Sequence, residues 1–411
     1  MKAGAIALGI ALLAPPLLLL SACGGGSSNT NNNGGGGGGG TPPGNTLPVS
    51  TAGLAGSGYT NGLFASVTVC VPGSSNCQTI NNVLVDTGSY GLRLLGSQFS
   101  LPLTQSKDSN GDPVDECEAF VSSYNWGPVA VADVQLAGEK ASNVPIQVMG
   151  GFSGVAPPAV PSACSSGGLT EADTQAALGA NGVLGIGVFQ HDCGAACAPG
   201  ATSTPAVYFG CPTSGCSAIL LPQQDQVQNP VSLFAQDNNG AIVELPQIAA
   251  SGALSVNGSV IFGINTQSDN ALPSSVTILE ADTTGSFATT YNNTNYGGSV
   301  LDTGSNANFF LDSTVTGLPD CTTATGFSCP ASTTAETATN YSPVGTGSVT
   351  SNWNVANAEQ LFTSNNYAFN DLAGPNPGAF DFGLSFFFGR NIYFGINGTS
   401  TGTVAGPFYA Y

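Results

Sequence analysis

Apolar residues in this chain fall in short runs separated by Gly, Pro, Asn and Ser. Runs of that length, bounded by turn formers, predict strands, and the expectation is an all-β protein. "FVSSYNWGPVAVADVQLAG" at 120–138 reads as two alternating strands about a turn at 125–127. The strongest helical candidates are short, for instance "TEADTQAALGA" at 170–180 and "NVANAEQLFTS" at 354–364.

The first apolar run is different. Lys2 precedes "AGAIALGIALLAPPLLLLSAC", an almost uncharged stretch broken by Pro15 and Pro16 and ending in small residues before Cys23. That order describes a secretory signal at 1–22 better than a spanning helix. "LSAC" is similar to a bacterial lipobox, which would place a lipid on Cys23 and leave no transmembrane helix in the mature chain. Gly24 after the cysteine favours the outer membrane of a Gram-negative envelope over retention in the inner membrane. The Gly- and Asn-rich stretch at 23–46 has nothing to bury and is expected to be a flexible tether, with folded structure from Leu47. About 365 residues then remain, enough for two lobes with a substantial core.

Composition narrows the partners. Charged residues are 7% of the chain, with 24 acidic against 5 basic and a formal net charge of −19. Such a surface repels nucleic acid and anionic lipid. The chain has 11 cysteines. With Cys23 assigned to lipid, an even number remains in an exported chain, and disulfides are the expectation. Local spacing suggests Cys70 with Cys77, Cys193 with Cys197, Cys211 with Cys216 and Cys321 with Cys329, leaving Cys117 for Cys164, although spacing does not fix connectivity. "HDCGAAC" at 191–197 contains residues competent to bind metal, but an oxidising compartment favours a disulfide-stapled loop and no metal.

Two segments nearly repeat: "VLVDTGSYGLRLL" at 83–95 and "SVLDTGSNANFFL" at 299–311. The separation of Asp86 and Asp302 is too long for a solenoid period and suits two lobes. Each copy has a second landmark downstream, "NGVLGIG" with Gly185 and "FDFGLSFFFG" with Gly383. A single Asp-Thr-Gly is a weak signal because Asp and Gly are common turn residues. Two copies, each after an apolar strand and each with its own downstream Gly, predict a duplicated two-lobed β protein.

These residues resemble the pepsin-like aspartic protease family, and the lipobox would make the chain a bacterial, lipoprotein-type member. "VLVDTGS" and "SVLDTGS" match the family's active-site loops, while "GVLGIG" and "DFGLSFFFGRNIYFGI" match the segments that cross behind them. The resemblance covers about 47–411 and implies a bilobal all-β fold with a cleft between two barrel-like lobes. "GSVIFGIN" at 258–265 resembles the strand that closes the first lobe. The lobes are expected at 47–272, with a Cys-rich insertion at about 190–222, and at 273–411.

The resemblance implies that Asp86 and Asp302 share a proton, one activating water as general base and the other acting as general acid on a peptide carbonyl. Thr87 and Thr303 would lock the two loops together. Gly88 and Gly304 would let the backbone approach the carboxylates, and Ser89 and Ser305 would steady their charge. The 120–138 hairpin would be the flap over the substrate, with Tyr124 as the positional match for the family's flap Tyr and Trp126 beside it. No cofactor and no metal are implied; the expected partner is a peptide or protein substrate, and a monomer is expected.

Departures from the family pattern support a rival reading, a catalytically weak or inactive pepsin-fold lipoprotein with a binding or structural role. Arg93 stands where much of the family has a Trp that supports the flap Tyr, and a cation beside the pair would hold both carboxylates ionised. Leu384 stands where Asp is common after the second supporting Gly. A neutral tether also replaces the basic pro-segment expected of a secreted zymogen.

Overall fold

The computed structural model describes residues 44–411. The expected leader at 1–22, the lipidation site Cys23 and the tether up to residue 43 lie outside the described residues. Packed structure is present slightly before the expected boundary: Asn45 is buried, its Nδ2 donating to the carbonyl of Phe262 at 3.1 Å, and the first strand is Thr46–Ser50.

That strand belongs to an antiparallel platform assembled from the beginning, middle and end of the chain. Thr46–Ser50 pairs with Asn257–Phe262, which pairs with Gly240–Leu245. The platform continues through Arg390–Gly395 and Phe408–Ala410 to Ile278–Glu280. Val243, Val260, Phe262, Ile392, Phe394 and Tyr409 bury its apolar face in a core that is continuous between the two lobes. The architecture is the bilobal, pepsin-like all-β fold.

On each side of the platform a lobe repeats one crossing. In the first, Cys77–Asp86 runs into the Asp86 loop, Tyr90–Leu95 leaves it, and Gly182–Ile186 inserts between them, parallel to the first and antiparallel to the second. In the second, Thr294–Leu301 and Asn308–Phe310 flank Phe380–Phe382 in the same sense. Val83, Val85, Leu92 and Leu94 in one lobe and Leu301, Phe310, Phe380 and Phe382 in the other are fully or almost fully buried. These crossing strands have apolar faces on both sides, so they read as runs and not as alternation.

Both helical stretches are shorter than their pattern. Gln175–Leu178 is one turn, capped by the Thr174 hydroxyl and ended by Gly179 at φ 70°. Ala358–Leu361 is capped by the Asn357 side chain. Caps this close together leave room for no second turn.

The cysteines at 70 and 77, 117 and 164, 193 and 197, 211 and 216, and 321 and 329 are joined, as local spacing suggested. Cys193 and Cys197 are therefore committed to each other. Five disulfides suit an extracellular or periplasmic compartment. No helix among the described residues is long and apolar enough to cross a membrane.

Cys117–Cys164 closes the longest loop, with a sequence separation of 47. Because loop-closure entropy grows with loop length, replacing both cysteines by Ala is expected to lower unfolding free energy by about 4 kcal/mol. Removing Cys193–Cys197, with a separation of 4, should cost much less in the same urea titration.

Candidate active site

The two Asp-Thr-Gly-Ser loops meet where the lobes join. Each Thr reaches across: Thr87 Oγ1 donates to the Leu301 carbonyl at 3.1 Å and accepts from the Thr303 amide at 3.0 Å. Thr303 Oγ1 donates to the Val85 carbonyl at 2.7 Å and accepts from the Thr87 amide at 3.1 Å. Four buried bonds related by an approximate twofold thus hold the loops in register.

Within each loop the carboxylate receives its own donors. Asp86 Oδ1 accepts from the Gly88 amide at 2.8 Å and Oδ2 from Ser89 Oγ at 2.5 Å. Asp302 Oδ1 accepts from the Gly304 amide at 2.7 Å and Oδ2 from Ser305 Oγ at 2.8 Å. The glycines are required by proximity: a Cβ on Gly88 would lie 2.6 Å from Asp302 Cγ, and one on Gly304 2.6 Å from Asp86 Oδ1. Behind the loops, Gly185 pairs with Asp86 in the crossing strand, and the amide of Leu384, just after Gly383, donates to the Ser305 carbonyl at 2.8 Å.

Asp86 and Asp302 are each 1% exposed, and each lies against the other's loop glycine, so that their carboxyl groups act on one another. Burial raises both, and the neighbouring Asp302 charge raises Asp86 further. Asp302 is raised less, because bonds from Asp86, Ser305 and Gly304 favour its charged form. The two therefore titrate as a coupled pair whose affinity for a proton is raised by burial and mutual repulsion.

Arg93 is fully buried but does not pair with either carboxylate of this unit. Its guanidinium donates to Glu116 Oε1 at 2.8 Å, Asp192 Oδ2 at 3.2 Å and the Tyr90 carbonyl at 2.8 Å, and lies 3.2 Å from Glu118 Oε2. Three carboxylates around one cation overcompensate its charge. Burial and mutual repulsion accordingly raise Glu116, and Glu118 to about 7. The anticipated effect of a free cation on the pair is thereby cancelled.

The hairpin over this region exists, but not as its pattern suggests. Its strands are Val114–Ala119 and Ser123–Leu136, so the turn is at 120–122, and 125–127 lies inside one continuous strand. Asp173 explains the difference: its carboxylate accepts from Asn125 Nδ2 at 2.9 Å and from the Trp126 amide at 3.0 Å, holding a turn-like sequence extended. Tyr124 and Trp126 are buried in a cluster with Phe209 and the Cys117–Cys164 and Cys211–Cys216 disulfides, and Trp126 Nε1 donates to the Pro158 carbonyl at 2.8 Å. Both side chains pack into this cluster within the first lobe. Part of the Cys-rich segment contributes the strand Tyr208–Gly210, which pairs with Val114–Ala119.

Several residues near the pair carried no motif signal. The hydroxyls of Tyr59 and Tyr90 are close enough to Asp86 and Asp302 that those charges, after burial, raise them. Asn61, at φ 51°, ties the first lobe to the second, donating to the carbonyls of Asn306 and Phe369 at 2.8 Å each and accepting from the Phe369 amide at 2.7 Å. The left-handed backbone at Asn61 is the one local sign that this Asn has a special place.

A family model described as "Protein of unknown function (DUF3443)" matches residues 42–411. None of the curated proteins matches. Among solved structures the chain is similar to an aspartic proteinase from Irpex lacteus, with a TM-score of 0.50 at 15% identity, over 89% of this chain and 96% of that one. At that identity the likeness bears on the fold alone.

Two outcomes test this site. The buried Asp115, raised to about 6, and the half-buried Glu118 and Asp173, each raised to about 7, bind more protons folded than unfolded. Stability therefore falls as pH rises through those values, and the melting temperature should be lower at about pH 8 than at about pH 5. Arg93→Met, which leaves the buried Glu116, Glu118 and Asp192 without their cation, should destabilise by about 3–5 kcal/mol in chemical denaturation at neutral pH.

Proposed function

We propose, for a chain that belongs to the family described as protein of unknown function (DUF3443), the activity of an aspartic endopeptidase acting on extended peptides. The observation that carries the reading is that two interlocked loops bring Asp86 and Asp302 together, each against the opposite loop's Gly and each held by its own Gly amide and Ser hydroxyl. With Asp302 assigned as the ionised member, it takes a proton from a water whose oxygen bonds to the peptide carbonyl carbon. Asp86 gives its proton to the carbonyl oxygen, forming a neutral gem-diol. Collapse of the diol breaks the C–N bond as the proton held by Asp302 moves to the leaving nitrogen and a diol proton returns to Asp86. Raised affinity for one shared proton is what this exchange requires.

Neutralisation of Arg93 by its three carboxylates supports activity, since it removes a cation that would have kept both Asp ionised. The reading includes a lipid anchor at Cys23 that tethers the enzyme to the cell envelope, with the outer membrane as the favoured site, on the strength of "LSAC" and Gly24.

Incubation of the purified full chain with a peptide library between about pH 3 and about pH 7 should give internal cleavage that pepstatin blocks. Asp86→Asn and Asp302→Asn should each lower kcat by at least about a hundredfold, the scale of a lost general acid or base. A folded protein that cleaves nothing across that range would leave the binding or structural role in place of the enzyme. Cys23→Ser should move the protein from the detergent phase to the aqueous phase in a cloud-point partition.

A further inference from the structure

The second lobe holds a third buried carboxylate beside the pair, one that the two-carboxylate chemistry does not use. Asp381, in the strand Phe380–Phe382, is 6% exposed, and its Oδ2 lies 2.6 Å from Ser305 Oγ. The same Oγ lies 2.8 Å from Asp302 Oδ2. A serine hydroxyl has one proton and two lone pairs. It cannot satisfy both oxygens as donor unless one acid supplies a proton of its own; otherwise two oxygen lone pairs face each other at hydrogen-bond distance.

The surroundings decide which acid that is. Asp302 receives the Gly304 amide and the bond from Asp86, both of which favour its charge. Asp381 Oδ1 is buried without a partner, a place where a bare carboxylate is costly and a neutral carboxyl is not. The charged or titratable groups that act on Asp381 are Asp302 and Asp86, both of the same sign. Tyr409, which also senses Asp381, has its hydroxyl donating to the Gly285 carbonyl at 2.7 Å. Among the described residues no cation acts on it to favour ionisation.

We propose that Asp381 is a neutral carboxylic acid that donates to Ser305 Oγ, so that the Ser305 hydroxyl is committed as a donor to Asp302. Asp381 is then a positioning residue, and it breaks the symmetry of the two loops. Two places before the crossing Gly, the first lobe has Val183 before Gly185 and the second has Asp381 before Gly383. Only the second loop has a proton-bearing group behind its serine at that place. The catalytic consequence, that Asp302 is held as the base and Asp86 as the acid, rests on the endopeptidase reading; the protonation of Asp381 does not.

Infrared difference spectra of the full chain at about pH 6 test the proton directly. Asp381→Asn minus wild type should show loss of a protonated-carboxyl C=O band with carboxylate bands unchanged, and Asp381→Leu should show the same loss if the Asn variant folds poorly. Loss of a carboxylate band instead would overturn the proposal. Kinetics test the positioning: Asn, whose amide still donates to Ser305, should keep kcat near wild type. Leu should lower kcat about tenfold with KM unchanged, the effect of one hydrogen bond to a charged group. An equal fall in both variants would sink the positioning role. A wild type without peptidase activity would count against the endopeptidase reading alone, because the infrared result still decides the protonation.

Discussion

Two carboxylates that touch inside a protein repel when both are charged and are costly to desolvate when either is. Asp86 and Asp302 are held in that condition, and much of the surrounding structure is arranged to tolerate it. The Gly88 and Gly304 amides and the Ser89 and Ser305 hydroxyls supply fixed dipoles. Thr87 and Thr303 take up loop backbone groups that would otherwise be buried without partners. Behind them the crossing strands are apolar on both faces, and in the second lobe Phe310, Phe380, Phe382 and Trp353 pack ring against ring. Close packing of this kind resists the separation of the loops that repulsion would favour.

A second buried cluster meets the same difficulty by other means. Around Arg93, a cation is inserted among Glu116, Glu118 and Asp192, and the excess negative charge is met by raised proton affinity. At the pair no cation of the described residues intervenes, and burial and repulsion raise the affinity for a proton. The difference matters chemically: an ion cluster is a stable end state, whereas a shared proton can be passed to a bound molecule and recovered.

The repeated loops and their downstream glycines were legible in the sequence because each feature is local: an apolar strand, a turn, and a Gly where strands cross. The disulfides that join near neighbours were legible for the same reason. What the sequence concealed depends on long-range partners. Arg93 looked like a hazard because Glu116 and Glu118 lie on a later strand and Asp192 lies further still. Asn125 to Gly127 looked like a turn because Asp173, which holds it extended, belongs to a different segment. Asp381 between two Phe looked like an ordinary strand residue. Its importance comes from the Ser305 hydroxyl, 76 residues earlier.

The Arg93 cluster also has a mechanical side. One guanidinium grips both the backbone just after the Asp86 loop, at Tyr90, and the strand Val114–Ala119, at Glu116 and Glu118. The Tyr208–Gly210 strand pairs with that strand along its other edge. A shift of Val114–Ala119 would therefore break buried ion pairs and pull at the backbone beside the Asp86 loop, so the hairpin and the loop are yoked as one piece.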